Sequence, residues 1–243
     1  VAHFYLASTP GPFAVGDEVS LEADEAHHAA RVARLTTGER VALGDGRGST
    51  ALAEAIDIAK GRVRLRVLEA RYEPAEHPEV WLAQALAKGG RDEAAIQMAC
   101  ELGVDRVIPF AAERSVSVWK GDKEHTGVER WRKIVQEAAK QSMRAWIPEV
   151  SGLSDLAGLL ALVGHAELVV LDPDAAIPLG GWTPRGDTPV LLVVGPEGGL
   201  SASELEAFAK RGATAYKLGR TVLRTSTAAP AALGLVNRAL GRW

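Results

Sequence analysis

The chain reads as an α/β protein built in two parts, a small β-barrel over residues 1–72 and then a parallel sheet covered by helices over residues 73–243. Three observations predict this. The residues before 73 hold short strand-like segments punctuated by turns, and those after 79 alternate apolar strand-like runs with helical periodicity. Between them, YEPAEHPE (Tyr72–Glu79) carries two prolines and three glutamates and reads as a linker.

In the first part, HFYLA, EVSLE, ERVALGDGRG, STALAEAID and GRVRLRVLEARY are strand candidates in chain order. Within the last, Val63, Leu65 and Val67 alternate with Arg62, Arg64 and Arg66, which predicts a half-buried strand with one strongly basic face. One helical insertion, Glu25–Leu35, interrupts the strands. It puts His28, Arg31 and, less closely, Arg34 on one face at i, i+3 and i+6, a basic face whose plain reading is solvation.

In the second part the order is strand (VWLAQAL), helix (RDEAAIQMACELG), strand (VDRVIPF), a long helix near Glu129–Arg144, then the strands ELVVLD, PVLLVV and ATAYKLG. Trp131, Ile134, Val135 and Ala138 recur at i, i+3, i+4 and i+7, the stripe a core-facing helix needs. PVLLVV is unbroken and apolar, as a strand buried on both faces requires. Ser201 and Glu204 have capping-box spacing, so a helix is expected from about Ala202. Pro230 lacks an N–H and suits a first turn, which places the start of the last helix near Ser226 or Thr227.

The composition excludes several classes. With 243 residues, 47% of them hydrophobic, the chain is long enough for two cores, and a net charge of −3 argues against holding nucleic acid by bulk electrostatics. Local basic patches stay open: Lys88–Arg144 holds eleven Lys and Arg against nine Asp and Glu. The single cysteine, Cys100, sits in an apolar-periodic stretch and suits a buried helix position in a reducing cytoplasm. No run approaches 18 uncharged apolar residues, so no membrane span is expected, and no metal is expected either.

The candidate site lies where two loops leave strand ends. VVGPEGGLSASE (Val193–Glu204) places glycines between a buried strand and a helix N-terminus, and LGRTVLRTST joins the last strand to the last helix. Neither dinucleotide nor nucleoside-triphosphate glycine spacing is present. The strongly charged candidates in these loops are only Glu197, Arg220 and Arg224, and such a pocket, lined mostly by backbone, suits a nucleoside-like group such as adenosine.

HHAARVAR, AKGGRDEAAIQMACELGVDRVIPFAAERS, RWRKIVQEAAKQSMR, VVGPEGGLSASE and LGRTVLRTSTAA, in this order, resemble the 16S rRNA (uridine-N3) methyltransferases of the SPOUT superfamily. The resemblance spans nearly the whole chain. It implies a PUA-like β-barrel for RNA binding, then a SPOUT methyltransferase domain whose C-terminal segment threads a deep trefoil knot. It also implies S-adenosyl-L-methionine (AdoMet) as cofactor, 16S rRNA as substrate, a homodimer and a cytoplasmic location. By this resemblance Gly195, Pro196, Glu197, Gly198 and Gly199 line the methionine and ribose side, Leu218, Gly219, Val222 and Leu223 hold the adenine, and Leu171 completes the wall. A branched side chain at Gly198 is then expected to fill cofactor space and strain the turn. Arg224 is the catalytic candidate, with a salt bridge to Glu197 as its competing role. RNA contacts are expected from His28, Arg31, Arg34, Lys88, Arg91, Arg114 and Arg144. Three positions depart from the commoner pattern: Ser226 stands where glutamate is usual, His3 where arginine is, and Lys140 where glutamate is. Ribose 2'-O-methylation and a non-catalytic rRNA-binding assembly role are the alternatives.

Overall fold

Period-two alternation folds the N-terminal part into five strands in the computed structural model, which describes residues 3–243. These are β1 (Phe4–Leu6), β2 (Glu18–Glu22), β3 (Arg40–Gly44), β4 (Ser49–Ala59) and β5 (Arg62–Tyr72), ordered β1-β3-β4-β5-β2. β1 pairs parallel to β3 and the other neighbours are antiparallel. The Ser8 amide donates to the Ser20 carbonyl at 3.3 Å, so the chain just after β1 meets β2 and the two edges of the sheet are drawn together as in a barrel. Tyr5, Leu21, Leu43, Ala53, Val63 and Leu65 are among its fully buried residues.

Two expectations for this unit need correction. The basic face of β5 is matched by acids: Arg64 pairs with Glu18 at 3.1 Å and with Asp57 at 3.2 Å, and Arg66 pairs with Glu18 at 3.2 Å. Its field on a distant anion is correspondingly reduced. The helical insertion is also shorter than its periodicity suggests. α1 (Ala23–His27) widens into a π-turn at His28–Val32, and Arg34 lies beyond it with φ +54°, so the i, i+6 relation to His28 does not hold. The wide turn lets the Leu35 amide reach the Ala29 carbonyl at 2.9 Å and bury Leu35 in the core.

The chain divides into two compact units, the first running to Ala75 and taking in Ala139–Ile147, the second comprising Glu76–Ala138 and Pro148–Trp243. Residues 139–147 therefore belong with the first unit, which a single cut at residue 72 does not anticipate. Their ties within it are specific. Lys140 Nζ lies 2.6 Å from Glu25 Oε1 with both side chains largely buried, and the Trp146 indole donates to the Glu73 carbonyl at 2.7 Å. A largely buried pair of this kind is costly to break by removing one partner.

The second unit is a seven-stranded parallel sheet. Its elements are β6 (Val80–Ala85), α2 (Arg91–Glu101), β7 (Arg106–Phe110), α3 (Asp122–Gln141, whose last three residues belong to the first unit), β8 (Glu149–Val150), α4 (Leu156–Ala161), β9 (Glu167–Leu171), β10 (Ile177–Pro178), β11 (Val190–Val194), α5 (Ala202–Lys210), β12 (Thr214–Lys217) and α6 (Thr225–Ala239). The strand order is β10-β12-β9-β11-β6-β7-β8. Every residue of β6 and β11 is buried, as two-sided helix cover demands.

Helix boundaries differ from the sequence reading at both long helices. α3 begins at Asp122, ahead of the apolar stripe, because its first turn is polar and exposed, and it ends at Gln141, with Met143 beyond it at φ +54°. Trp131, Val135 and Ala138 are buried as the stripe requires. α6 begins at Thr225, so Pro230 sits in its second turn and leaves the Ser226 carbonyl without the usual helical donor. Cys100 is buried in α2, its Sγ 3.4 Å from the Val135 carbonyl.

Candidate functional site

All seven strands run in the same direction, so the segments following β6, β9, β11 and β12 leave one edge of the sheet together. In register, Gln84 of β6 lies beside Val194 of β11, and Leu171 of β9 beside Tyr216 of β12. The chain moves outward from β6 to β8 and resumes on the other side at β9, with β11 placed between the two halves. Such a reversal opens a crevice at the carboxyl ends of the strands.

The capping box predicted from Ser201 and Glu204 is present: the Glu204 amide donates to Ser201 Oγ at 3.1 Å, and the Ser201 amide to Glu204 Oε2 at 2.7 Å. α5 starts at Ala202 as the spacing implies. The buried Glu204 also accepts from the Glu113 amide at 2.9 Å, and Glu113 in turn accepts from Ser201 Oγ at 2.5 Å and Ser203 Oγ at 2.9 Å. Those two hydroxyls, Ser201 first, hold the Glu113 carboxyl below its ordinary range. Nothing local in the sequence marks Glu113, since its partners lie some 90 residues away in the chain.

The glycines of residues 195–199 serve separate ends. A Cβ on Gly195 would stand 3.1 Å from the Leu200 amide nitrogen and 3.2 Å from the Gly199 carbonyl carbon, so it is the loop's own backbone that excludes a side chain there. Gly199 has φ +69°, the conformation that disfavours any other residue. At Gly198 φ is ordinary and the nearest atom to a Cβ is Arg114 Cβ at 3.4 Å, a normal contact. The turn strain expected at Gly198 therefore belongs to Gly199.

Residues outside the loop hold it in place. Arg114 Nη1 donates to the Gly198 carbonyl at 3.0 Å and to the Leu200 carbonyl at 3.3 Å. Glu197 accepts from the Lys88 amide at 3.0 Å and from Arg91 Nη1 at 2.7 Å. Lys88, Arg91 and Arg114, three of the expected RNA contacts, thus surround residues 195–200, with Arg91 and Arg114 engaged by them. The salt bridge considered for Arg224 is not formed, because Glu197 pairs with Arg91, and among the described residues no ion pair includes Arg224. Arg224 is exposed at the N-cap of α6. Val222 is 79% exposed, Leu171, Leu218 and Leu223 are half-buried, Pro196 is buried, and a Cβ at Gly219 would meet nothing within 4 Å.

In the first unit, Arg31 and Arg34 are exposed and Arg144 is half-buried. His28 stands apart from the solvated face: its ring centroid lies 5.9 Å from Tyr5 and 6.3 Å from His3, and its Nδ1 is buried with no hydrogen-bond partner among the described residues. Burial, followed by the charges of Glu25 and Glu39, pushes the Tyr5 phenol up from its ordinary value.

Glu197 carries a pH prediction. Partial burial pushes its carboxyl up, but the hydrogen bonds from its own amide, the Arg91 guanidinium and the Lys88 amide outweigh this and hold it below the ordinary 4.5. A carboxyl depressed on folding contributes stability above its unfolded value and loses it as pH falls through the folded value. Glu197→Gln is therefore expected to lower Tm at neutral pH by less than the roughly 2–4 °C that about 1 kcal/mol is worth in a chain of this size, because solvent screens a carboxyl this exposed. Below pH 4.5 the difference should shrink progressively, which thermal melts of both proteins across that range will check.

A cleft of about 300 Å³ beside Val163, Glu167, Arg185 and Arg211 lies at the start of β9, the opposite end of that strand from Leu171. Among the described residues no cluster of His, Cys, Asp or Glu converges to hold a metal ion, and no helix is long and apolar enough to cross a membrane.

The profile of the RNA methyltransferase domain matches residues 75–237, and that of the RNA methyltransferase PUA domain matches residues 21–68. The chain is 40% identical to the ribosomal RNA small subunit methyltransferase E of Mycobacterium tuberculosis over 252 residues, covering 99% of this chain and 92% of that protein. It is 32% identical to the Bacillus subtilis protein of the same name, covering 90% and 89%. Among solved structures, a protein from Legionella pneumophila in complex with the bound cofactor SAM superposes with TM-score 0.86 at 28% identity, and the ribosomal RNA small subunit methyltransferase E of Neisseria gonorrhoeae bound to S-adenosyl methionine with TM-score 0.86 at 26% identity. Each comparison covers 98% of both chains. With its PUA-like barrel, its parallel sheet and a family match over two thirds of its length, the chain belongs to the RNA methyltransferase family.

Proposed function

We propose that the chain is an AdoMet-dependent methyltransferase acting on N3 of a uridine in 16S rRNA of the small ribosomal subunit. The observation that carries this reading is the convergence, at one sheet edge, of the loops after β11 and β12 with an exposed arginine that has no ion-pair partner among the described residues. The relatives' names and the two SAM-bound neighbours point the same way.

The residues fit the cofactor. The edge offers backbone, open space at Gly219 and an exposed apolar Val222, surfaces suited to adenine. Leu171, Gly195, Pro196, Glu197, Gly198, Gly199, Leu218, Gly219, Val222 and Leu223 are proposed to hold it. AdoMet supplies an activated methyl group when bound. What the chain must add is orientation and help for the uracil anion, because N3 carries a proton that has to leave. Arg224 can place guanidinium donors on a uracil oxygen and lower the cost of that charge. A carboxylate base at position 226 plays no part, since Ser226 stands there.

Mass spectrometry of 16S rRNA nucleosides tests the reaction. A strain lacking the gene should lose 3-methyluridine, and the purified protein with AdoMet should restore it. Loss of a 2'-O-methylated nucleoside would instead identify ribose chemistry, and no change at all would favour an assembly factor.

The first unit is proposed to dock RNA, with Arg31 and Arg34 as exposed phosphate contacts. Arg31→Ala combined with Arg34→Ala should weaken rRNA binding and reduce the slope of log K against log salt by roughly 1 to 2, leaving AdoMet affinity unchanged. Filter binding across a salt series measures both. A homodimer in the cytoplasm is proposed with the same reading, its partner covering the exposed Val222 side of the site. Light scattering should then give twice the 25.7 kDa chain mass. The knot is proposed as well. Support comes from the return of the chain after β12: Thr225 reaches Gln84, Asn237 Nδ2 reaches the Leu102 carbonyl at 2.6 Å, and Arg242 reaches Asp105 at 3.0 Å.

A further inference from the structure

We propose that Thr225 is a positioning residue whose single hydroxyl sets the cofactor loop and Arg224 together, with Gln84 fixing that hydroxyl from beneath. The inference rests on the function proposed above.

Thr225 is buried, and its Oγ1 accepts from Gln84 Nε2 at 2.8 Å while donating to the Gly195 carbonyl at 2.8 Å. A hydroxyl has one proton, and here it is committed to Gly195. Gly195 is the first residue after β11, and Thr225 is the first residue of α6, directly after Arg224. One side chain therefore joins the start of the loop to the start of the helix that presents the arginine.

Gln84 explains why the link is rigid. It is fully buried in β6, beside Val194, and its second amide hydrogen reaches the Ala85 carbonyl at 3.0 Å. Both donors face acceptors, so a flipped amide would set its oxygen against the Ala85 carbonyl. Its Oε1 has no partner among the described residues. A buried acceptor left unpaired is costly, and an apolar residue would avoid that cost in a strand otherwise made of Val, Trp, Leu and Ala. The amide is required for what it donates, which is the placement of Thr225.

Loosening the link misplaces the loop and the arginine at once. Thr225→Val keeps the shape and removes both hydrogen bonds. It should raise the AdoMet Kd at least about tenfold by calorimetry and lower single-turnover kcat at saturating AdoMet at least about tenfold. Thr225→Ser, which restores the hydroxyl, should return both to within about threefold of the unmodified chain. A residue that only supports packing would lower Tm in Thr225→Val while leaving Kd and saturated kcat within about twofold, and that result overturns the proposal, as does failure of serine to rescue. Should Thr225→Val not fold, Gln84→Met removes the donor at similar volume. Unchanged Kd and kcat in it overturn the proposal, and a rise in Kd with a fall in kcat supports it. Absence of AdoMet binding by the unmodified chain overturns the underlying function, whereas equal binding by the unmodified chain and Thr225→Val overturns the link alone.

Discussion

Arg224→Ala is expected to lower kcat by roughly 10²- to 10³-fold, the effect of removing one preorganised donor to a developing oxyanion. The structure sharpens this expectation. Arg224 is exposed and in no ion pair among the described residues, so its removal strands no buried partner, and stability and AdoMet affinity should change little. The helix cap survives as well, because the hydrogen bonds from the Thr227 and Ala228 amides go to the backbone carbonyl of residue 224. Arg224→Lys keeps the charge but loses the planar fork and should fall between the two. The role proposed for Arg224 is to favour the deprotonated uracil, and on that proposal the alanine variant should recover part of its rate as pH rises toward the value at which uridine N3 ionises unaided, with a weaker rise in the unmodified protein. Single-turnover kinetics across pH measure this. A near-normal kcat assigns Arg224 to structure, and lost AdoMet binding makes it a cofactor ligand.

Gly199→Val is expected to raise the AdoMet Kd by roughly 5- to 150-fold, corresponding to about 1–3 kcal/mol for holding a branched residue at positive φ. The loop would relax to an ordinary φ in the free protein, and binding would have to restore the strained turn. Gly198→Ala is the matched control, since its Cβ makes a normal contact at 3.4 Å with Arg114 and requires no unusual φ. Any rise in its Kd therefore reports space taken from the cofactor and not a strained turn. Calorimetry on both proteins decides the matter, and equal affinities would remove Gly199 from the cofactor turn.

The parts of this fold legible in the sequence were those whose signal is local. The unbroken apolar run of β11, the alternation of β5 and the Ser201–Glu204 box each act within a few residues, and each element lies where its pattern places it. Boundaries drifted where local signals stop short of the element. The polar first turn of α3 carries no apolar stripe, and Pro230 sits one turn deeper in α6 than its missing N–H suggests. The widening of α1 into a π-turn has no periodic signature, so helical spacing puts Arg34 on a face that it leaves. The site's supports were illegible for a different reason. Glu113 with Ser201, Arg114 with Gly198 and Gln84 with Thr225 join residues 84 to 141 apart in sequence, and only the strand order brings them together.

That strand order also has a consequence in time. β6 finds its first neighbour, β7, soon after it is made, but its other neighbour, β11, begins at Val190, 105 residues after Ala85 (190 − 85). At roughly 5–20 residues per second, ribosomal synthesis leaves one edge of a strand destined for complete burial without its partner for roughly 5–20 s. During that interval the emerging chain presents unpaired backbone groups along Val80–Ala85 and the apolar faces around them. The strand that leads into residues 195–200 is thus also the one that ends this exposure, so the nascent protein becomes safe from strand-to-strand association only as the edge proposed to bind cofactor is completed.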